Sequence, residues 1–122
     1  MTPQSVMLLD DDPFTLALLQ DMFSELGGYS VATESDARRA LATLRAQAPD
    51  VLVCDLSMPD MDGIEFLQAA AESQYRGRVL LLSGVDAGVR RAAERLARAQ
   101  GLRLVGAFCK PLGLEELKAA LA

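Results

Sequence analysis

Five short apolar runs alternate along the chain with longer stretches whose apolar residues recur at helical spacing. Residues 6–9, 29–33, 51–54, 79–82 and 104–109 read as strands. Three of these runs, 6–9, 51–54 and 79–82, are apolar at every position instead of alternating, which is what a strand covered by helices on both faces requires. The alternation of strand and helix therefore predicts an α/β fold, a parallel sheet wrapped by helices. Asp12 followed by Pro13 predicts a capped helix start, and Gly27-Gly28 its stop. The second helix starts near Ser35 or Asp36 and ends before Pro49, and the third follows Asp62-Gly63 with Ile64, Leu67 and Ala71 on one stripe. The fourth carries Val89, Ala93 and Leu96 on one face and Arg91, Arg95 and Arg98 on another, with Glu94 four residues from Arg90 and from Arg98. The last runs from about Leu114, with Glu115 and Glu116 in its first turn and Leu114, Leu117 and Leu121 inward. No repeat or linker interrupts the pattern, so residues 1–122 are expected to form one domain.

Composition narrows the chemistry. A chain of 122 residues that is 51% hydrophobic can build one core. Seventeen acidic against twelve basic residues leave a net charge of -5, which argues against a phosphate-neutralising nucleic-acid surface. Histidine is absent, which removes imidazole bases, His-activated nucleophiles and imidazole metal sites. Cys54 and Cys109 form neither a CxxC nor a zinc pattern and are expected to be small buried apolar residues in a reduced compartment. The opening MTPQSVMLLDDD lacks a basic segment before its apolar stretch, and no apolar run approaches the roughly 18 residues needed to cross a bilayer. A cytoplasmic location without membrane contact is expected.

The polar residues that follow the strands define the candidate site. Ligands of open parallel sheets bind beyond the carboxyl ends of the strands. Asp10, Asp11 and Asp12 follow the first run, Asp55 the third, Ser83 the fourth and Lys110 the fifth. Carboxylates gathered there repel one another unless a cation sits among them. Oxygen donors without imidazole or thiolate favour a hard ion, and few protein ligands suit Mg²⁺ better than Ca²⁺. A hydroxyl and an ammonium beside such an ion make a site for a phosphoryl group, with a carboxylate as nucleophile.

The segments LLDDDP, VCDLSMPDMDG, LLSG and FCKPL, in this order and spacing, resemble the receiver domain of bacterial two-component response regulators over the whole chain. The resemblance implies a (βα)5 flavodoxin-like fold with strand order 2-1-3-4-5 that accepts phosphate from a sensor histidine kinase or phosphotransfer protein. It implies that Asp55 is the phospho-acceptor, Asp11 a direct Mg²⁺ ligand and Asp10 an acid supporting the metal through water. Ser57 would offer its backbone carbonyl to the metal, Ser83 would be the switch hydroxyl, and Lys110, before Pro111, would pair with the phosphoryl group. Asp12 reads as a helix cap. Such a domain is a signalling module that catalyses only its own phosphorylation and dephosphorylation, and it acts on an output domain or downstream protein, with a homodimer left open.

SGVD, an Ala/Arg-rich helix and GxFxKPL are similar to receivers attached to cyclic-di-GMP phosphodiesterase (EAL) output domains. Two departures from the family stand out. The aromatic expected three positions before the lysine is replaced by Ala107, and Phe108 is expected to face the opposite way, as core. The interval from Ser83 to Lys110 is longer than usual by about one helical turn, so the family's usual dimer surface is not assumed. The alternatives are a receiver-like module that signals without phosphorylation and an aspartate-nucleophile, Mg²⁺-dependent phosphatase. The phosphatase wants a second acid where Ser57 stands. A flavin site is opposed by the anionic DDDP loop, and no GxxxxGK loop occurs.

Overall fold

The computed structural model describes residues 2–58, 61–84 and 86–122. Strands and helices alternate as β1 (Gln4–Leu9), α1 (Pro13–Leu26), β2 (Tyr29–Glu34), α2 (Ala37–Gln47), β3 (Val51–Asp55), α3 (Gly63–Glu72), β4 (Arg78–Ser83), α4 (Ala87–Ala99), β5 (Arg103–Cys109) and α5 (Leu114–Leu121). All four strand pairings are parallel, and the sheet order is β2-β1-β3-β4-β5, the (βα)5 flavodoxin-like arrangement expected from the sequence. Pro59 and Asp60 of MPDMDG and Val85 of SGVD lie outside the described residues.

The three apolar strands run through the middle of the sheet because each of their side chains is buried on one face or the other. Met7, Leu9, Leu52, Cys54, Val79 and Leu81 pack under α2, α3 and α4 around Phe66. Val6, Leu8, Val51, Val53, Leu80 and Leu82 pack under α1 and α5 around Phe23. Phe23 and Phe66 are among the largest fully buried side chains, each contributing up to about 3 kcal/mol by burial.

Four of the five helices open on an aspartate, Asp12, Asp36, Asp62 and Asp86, whose carboxylate accepts a backbone N–H from the first turn. Each such cap is worth about 1 kcal/mol. Since every helix starts at the carboxyl edge of the sheet, the caps also add negative charge to that edge. At Gly63 an added Cβ would lie 2.8 Å from the Cα and the carbonyl oxygen of Leu56. The absent side chain lets the start of α3 rest directly on the chain leaving β3.

Four details differ from the expectation. Val89 is exposed, and α4 instead buries Ala93 and Ala97, because its inward face is cut for small residues over the sheet. The buried stripe of α3 is Phe66, Leu67 and Ala70, with Ile64 and Ala71 at its margins, and in the last segment Leu112 is buried where Leu114 is only half-buried. Cys109 is exposed, because it ends the edge strand β5, where no further strand covers it, whereas Cys54 in the central β3 is buried. Between Val79 and Leu80 the pairing with β5 slips by one residue, so that Val105 is an extra residue in the edge strand. Among the described residues no helix is long and apolar enough to cross a membrane.

Candidate functional site

The parallel sheet brings the residues that end β1, β3, β4 and β5 to one rim. Asp10, Asp55 and Ser83 are the buried polar side chains there, 1%, 2% and 3% exposed. Lys110 follows β5 and reaches across: its Nζ donates to Asp10 Oδ2 at 2.7 Å and lies 3.3 Å from Asp55 Oδ1. Asp10 Oδ1 accepts the Asp12 N–H at 2.9 Å, and Asp55 Oδ1 accepts the Ser57 N–H at 3.1 Å. Asp11 is exposed, yet a carboxylate oxygen from each of Asp10, Asp11 and Asp55 falls within 4.8 Å of the others. Asp12 is the cap anticipated, its carboxylate accepting from the Phe14 N–H and the Thr15 hydroxyl. The backbone ties the rim together, with the Leu56 N–H on the Leu82 carbonyl and the Lys110 N–H on the Ser83 carbonyl at 2.8 Å.

Two buried atoms at this rim have no hydrogen-bond partner among the described residues, Asp55 Oδ2 and Ser83 Oγ. Buried polar atoms are rarely left so, and where they are, a ligand or ion is the usual completion. Three acids around one ammonium also leave an excess of negative charge. Burial, reinforced by the Asp10 charge, raises the Asp55 carboxyl above the usual range against the opposing pull of the Ser57 N–H and Lys110. For Lys110, burial alone would lower the ammonium, but the Asp10 hydrogen bond and the Asp55 charge prevail, and it stays above its ordinary value, protonated at neutral pH. Burial, and after it the neighbouring carboxylates, push the Cys54 thiol far upward, so it is an inert neutral packing group.

The strand-end residues singled out in the sequence thus converge, Asp10, Asp55, Ser83 and Lys110 within the rim and Asp11 and Ser57 at its exposed margin. Ala107 packs with the α2–α4 face and Phe108 with the α1/α5 face, as alternation predicts. The Phe108 ring folds back over Gly106, where an added Cβ would lie 2.8 Å from its Cζ. Cys109 Sγ donates to the Gly84 carbonyl at 3.0 Å. One feature was missed: Phe14 and Leu18, 74% and 39% exposed, stand on α1 beside Lys110, Pro111 and Leu112 over a small cleft of about 90 Å³. Their signal lies in the spacing, since these two large apolar residues four apart fall off the buried Leu19–Phe23 stripe.

Residues 6–122 match the family described as response regulator receiver domain. The chain is 32% identical over 122 residues to the cyclic di-GMP phosphodiesterase RocR of Pseudomonas aeruginosa, covering 99% of this chain and 31% of that protein. It is 34% identical over 120 residues to the transcriptional regulatory protein TrcR of Mycobacterium tuberculosis, covering 98% of this chain and 44% of that protein. The chain thus spans less than half the length of either relative. Among solved structures, a response regulator from Colwellia psychrerythraea superposes with a TM-score of 0.83 at 37% identity, covering 97% of this chain and 93% of that one. The chemotaxis protein CheY4 of Vibrio cholerae superposes with a TM-score of 0.80 at 29% identity, covering 98% and 96%. With an acidic rim of this kind on a sheet of this order, and a family match running from β1 to the end of α5, the chain belongs to the receiver domains of two-component response regulators.

Proposed function

We propose that residues 1–122 act as one phospho-accepting unit in which Asp55 takes a phosphoryl group from the phosphohistidine of a sensor kinase or phosphotransfer protein. The observation that carries this reading is the pair Asp55 Oδ2 and Ser83 Oγ, without partners among the described residues and buried at a rim where Lys110 lies against the other oxygen of Asp55. An Asp55 oxygen attacks phosphorus, the P–N bond breaks, and the imidazole leaves as the neutral base after taking up a proton. Lys110 stays charged through the transfer and is placed to face a phosphoryl oxygen, while Ser83 supplies a hydroxyl with its hydrogen-bonding capacity unspent.

The donor set fits Mg²⁺. Asp10, Asp11 and Asp55 offer only oxygens, and Ser57 would add its carbonyl. The chemistry the bound ion would supply is neutralisation of charge on the phosphoryl oxygens. Phosphorylation exchanges the single charge of the Asp55 carboxylate for the roughly two of an acyl phosphate, a net gain of about one negative charge with added acceptor oxygens beside Ser83, and new bonds to its hydroxyl favour a second arrangement of the rim. With Ala107 in place of the usual aromatic, this rearrangement is read out without an aromatic swing. The two free thiols and a kinase partner fit a cytoplasmic setting.

The output is of the kind carried by RocR, a cyclic di-GMP phosphodiesterase, and this rests on the likeness over the receiver portion. Incubation with acetyl phosphate and Mg²⁺, followed by intact mass measurement, tests the acceptor. The wild-type chain gains one hydroxylamine-labile phosphate and Asp55→Asn gains none. The same labile phosphate on Asp55→Asn would refute the assignment.

A further inference from the structure

At the opposite end of the sheet lies a second polar basin that takes no part in the chemistry above. The turns before β2, β3 and β4, the starts of β1 and β5 and the end of α5 border an open basin of about 720 Å³, lined by Arg76, Arg78 and Arg103 with the glycines Gly27, Gly28 and Gly77. The five residues of β3 at ~3.3 Å per residue put this basin ~17 Å from Asp55.

Three guanidiniums outnumber the anionic groups of the lining, the Asp50 side chain and the terminal residue Ala122. Among the described residues none of the three arginines makes an ion pair, in a protein whose net charge is -5. Arg78 is half-buried, and its guanidinium is fixed by two neutral acceptors, the Leu121 carbonyl at 3.1 Å and Gln4 Oε1 at 2.7 Å. A guanidinium carries five N–H donors, so donors remain after these two bonds. Asp50 is the one acidic side chain in the lining, and its Oδ2 is occupied by the N–H and hydroxyl of Ser5. The frame that carries the arginines is braced: the Tyr75 hydroxyl donates to the Pro49 carbonyl at 2.7 Å, passing over Gly77 so closely that any added Cβ would clash with it. Arg76 and Arg78 flank this brace. The other basic surface differs in both respects, since α4 is convex and its Arg98 is paired with Glu94.

We propose that this basin binds a small anion carrying two adjacent phosphoryl groups. Concavity, one fixed guanidinium with two exposed ones beside it, and bare glycine backbone at the lip are what such an ion requires, and a planar guanidinium fork matches a phosphoryl oxygen pair. The proposal is independent of the phosphoryl-transfer reading, because the two sites lie at opposite ends of the strands.

The test is an amide chemical-shift titration of the 122-residue chain with pyrophosphate, in low salt and without divalent ions, repeated with orthophosphate and with adenosine diphosphate. Pyrophosphate should saturate shifts at Gly27, Gly28, Gly77 and Arg78 and bind at least about tenfold more tightly than orthophosphate. Arg76→Gln with Arg103→Gln, both exposed positions, should weaken binding by about tenfold or more. Phosphorylation of Asp55 by acetyl phosphate should be unchanged, and the doubly lysine-substituted variant should recover part of the affinity. A tighter fit for adenosine diphosphate identifies a nucleotide as the source, and equal affinity identifies the diphosphate alone. Shifts that do not saturate, that centre on Lys110 or α4, or that persist in the glutamine variant overturn the proposal.

Discussion

Replacing Lys110 by methionine isolates the electrostatics of the rim. The ammonium sits 2.7 Å from Asp10 and 3.3 Å from Asp55, both of which have side chains 1% exposed. Removing it leaves two buried carboxylates whose oxygens lie within 4.8 Å of each other. At an effective dielectric constant of about 20, two charges at that separation repel by roughly 3.5 kcal/mol. That is a large share of the 5–15 kcal/mol by which a domain is typically stable.

The folded protein can avoid this cost by binding a proton. The Asp55 carboxyl is already raised by burial and by Asp10, and loss of the ammonium raises it further. A carboxyl whose folded pKa exceeds its unfolded value contributes stability that is fully present below the unfolded pKa, about 3.9, and is lost as pH rises through the folded pKa. Lys110→Met should therefore approach the wild type in acid and fall behind as pH increases. Urea unfolding followed by far-ultraviolet circular dichroism, the chain having no tryptophan, measures this from pH 5 to 8 with and without Mg²⁺. A deficit of about 3 kcal/mol is expected at pH 8 without the ion, shrinking toward pH 5 and on addition of Mg²⁺. A deficit independent of both pH and Mg²⁺ would mean that Lys110 acts through the packing of its methylenes, and the charge account would be wrong.

Three further outcomes are expected. Mg²⁺ at a hundred times its dissociation constant should stabilise the wild type by about 2.7 kcal/mol, and Asp11→Ala should lose most of this gain; an unchanged thermal shift would remove Asp11 from the ligand set. Gly63→Ala must move Leu56 or α3 by roughly 0.7 Å to relieve the 2.8 Å approach, at about 1–3 kcal/mol, and should weaken Mg²⁺ binding through the adjacent Ser57. Unaltered unfolding midpoints and Mg²⁺ titrations would show that this turn yields freely. Ala107→Tyr should change coupling to the output while leaving phosphate uptake from acetyl phosphate intact, and a parallel loss of uptake would show that position 107 reaches the acceptor.

The central architecture was legible because β1, β3 and β4 are buried on both faces, and such strands leave uninterrupted apolar runs. The Asp12 cap and the Gly27-Gly28 stop were equally plain, since each acts through backbone groups a few residues away, whereas the Asp86 cap of α4 was not singled out. Legibility failed where the outcome depends on what lies beside an element. Cys109 ends an apolar run as Cys54 does, and only the sheet order makes one an edge residue and the other central. Val89 has the right helical phase to be buried, but the packing of α4 is centred on Ala93 and Ala97. The extra residue at Val105 has no local signature, because a bulge is defined by the partner strand's register. At the site, the adjacent acids Asp10 and Asp11 are alike in sequence, yet the end of β1 turns one inward onto Lys110 and leaves the next at the surface.

The 2.8 Å bond from the Lys110 N–H to the Ser83 carbonyl has a mechanical consequence. It yokes the tip of β4 to the tip of β5, so neither backbone can travel alone toward a newly arrived group. The Ser83 hydroxyl, unpartnered among the described residues, is held by no hydrogen bond of its own and can turn about its side-chain torsion without moving either strand. Any larger displacement has to be carried by the two strand ends as one rigid jaw, tilting what is fastened beyond them.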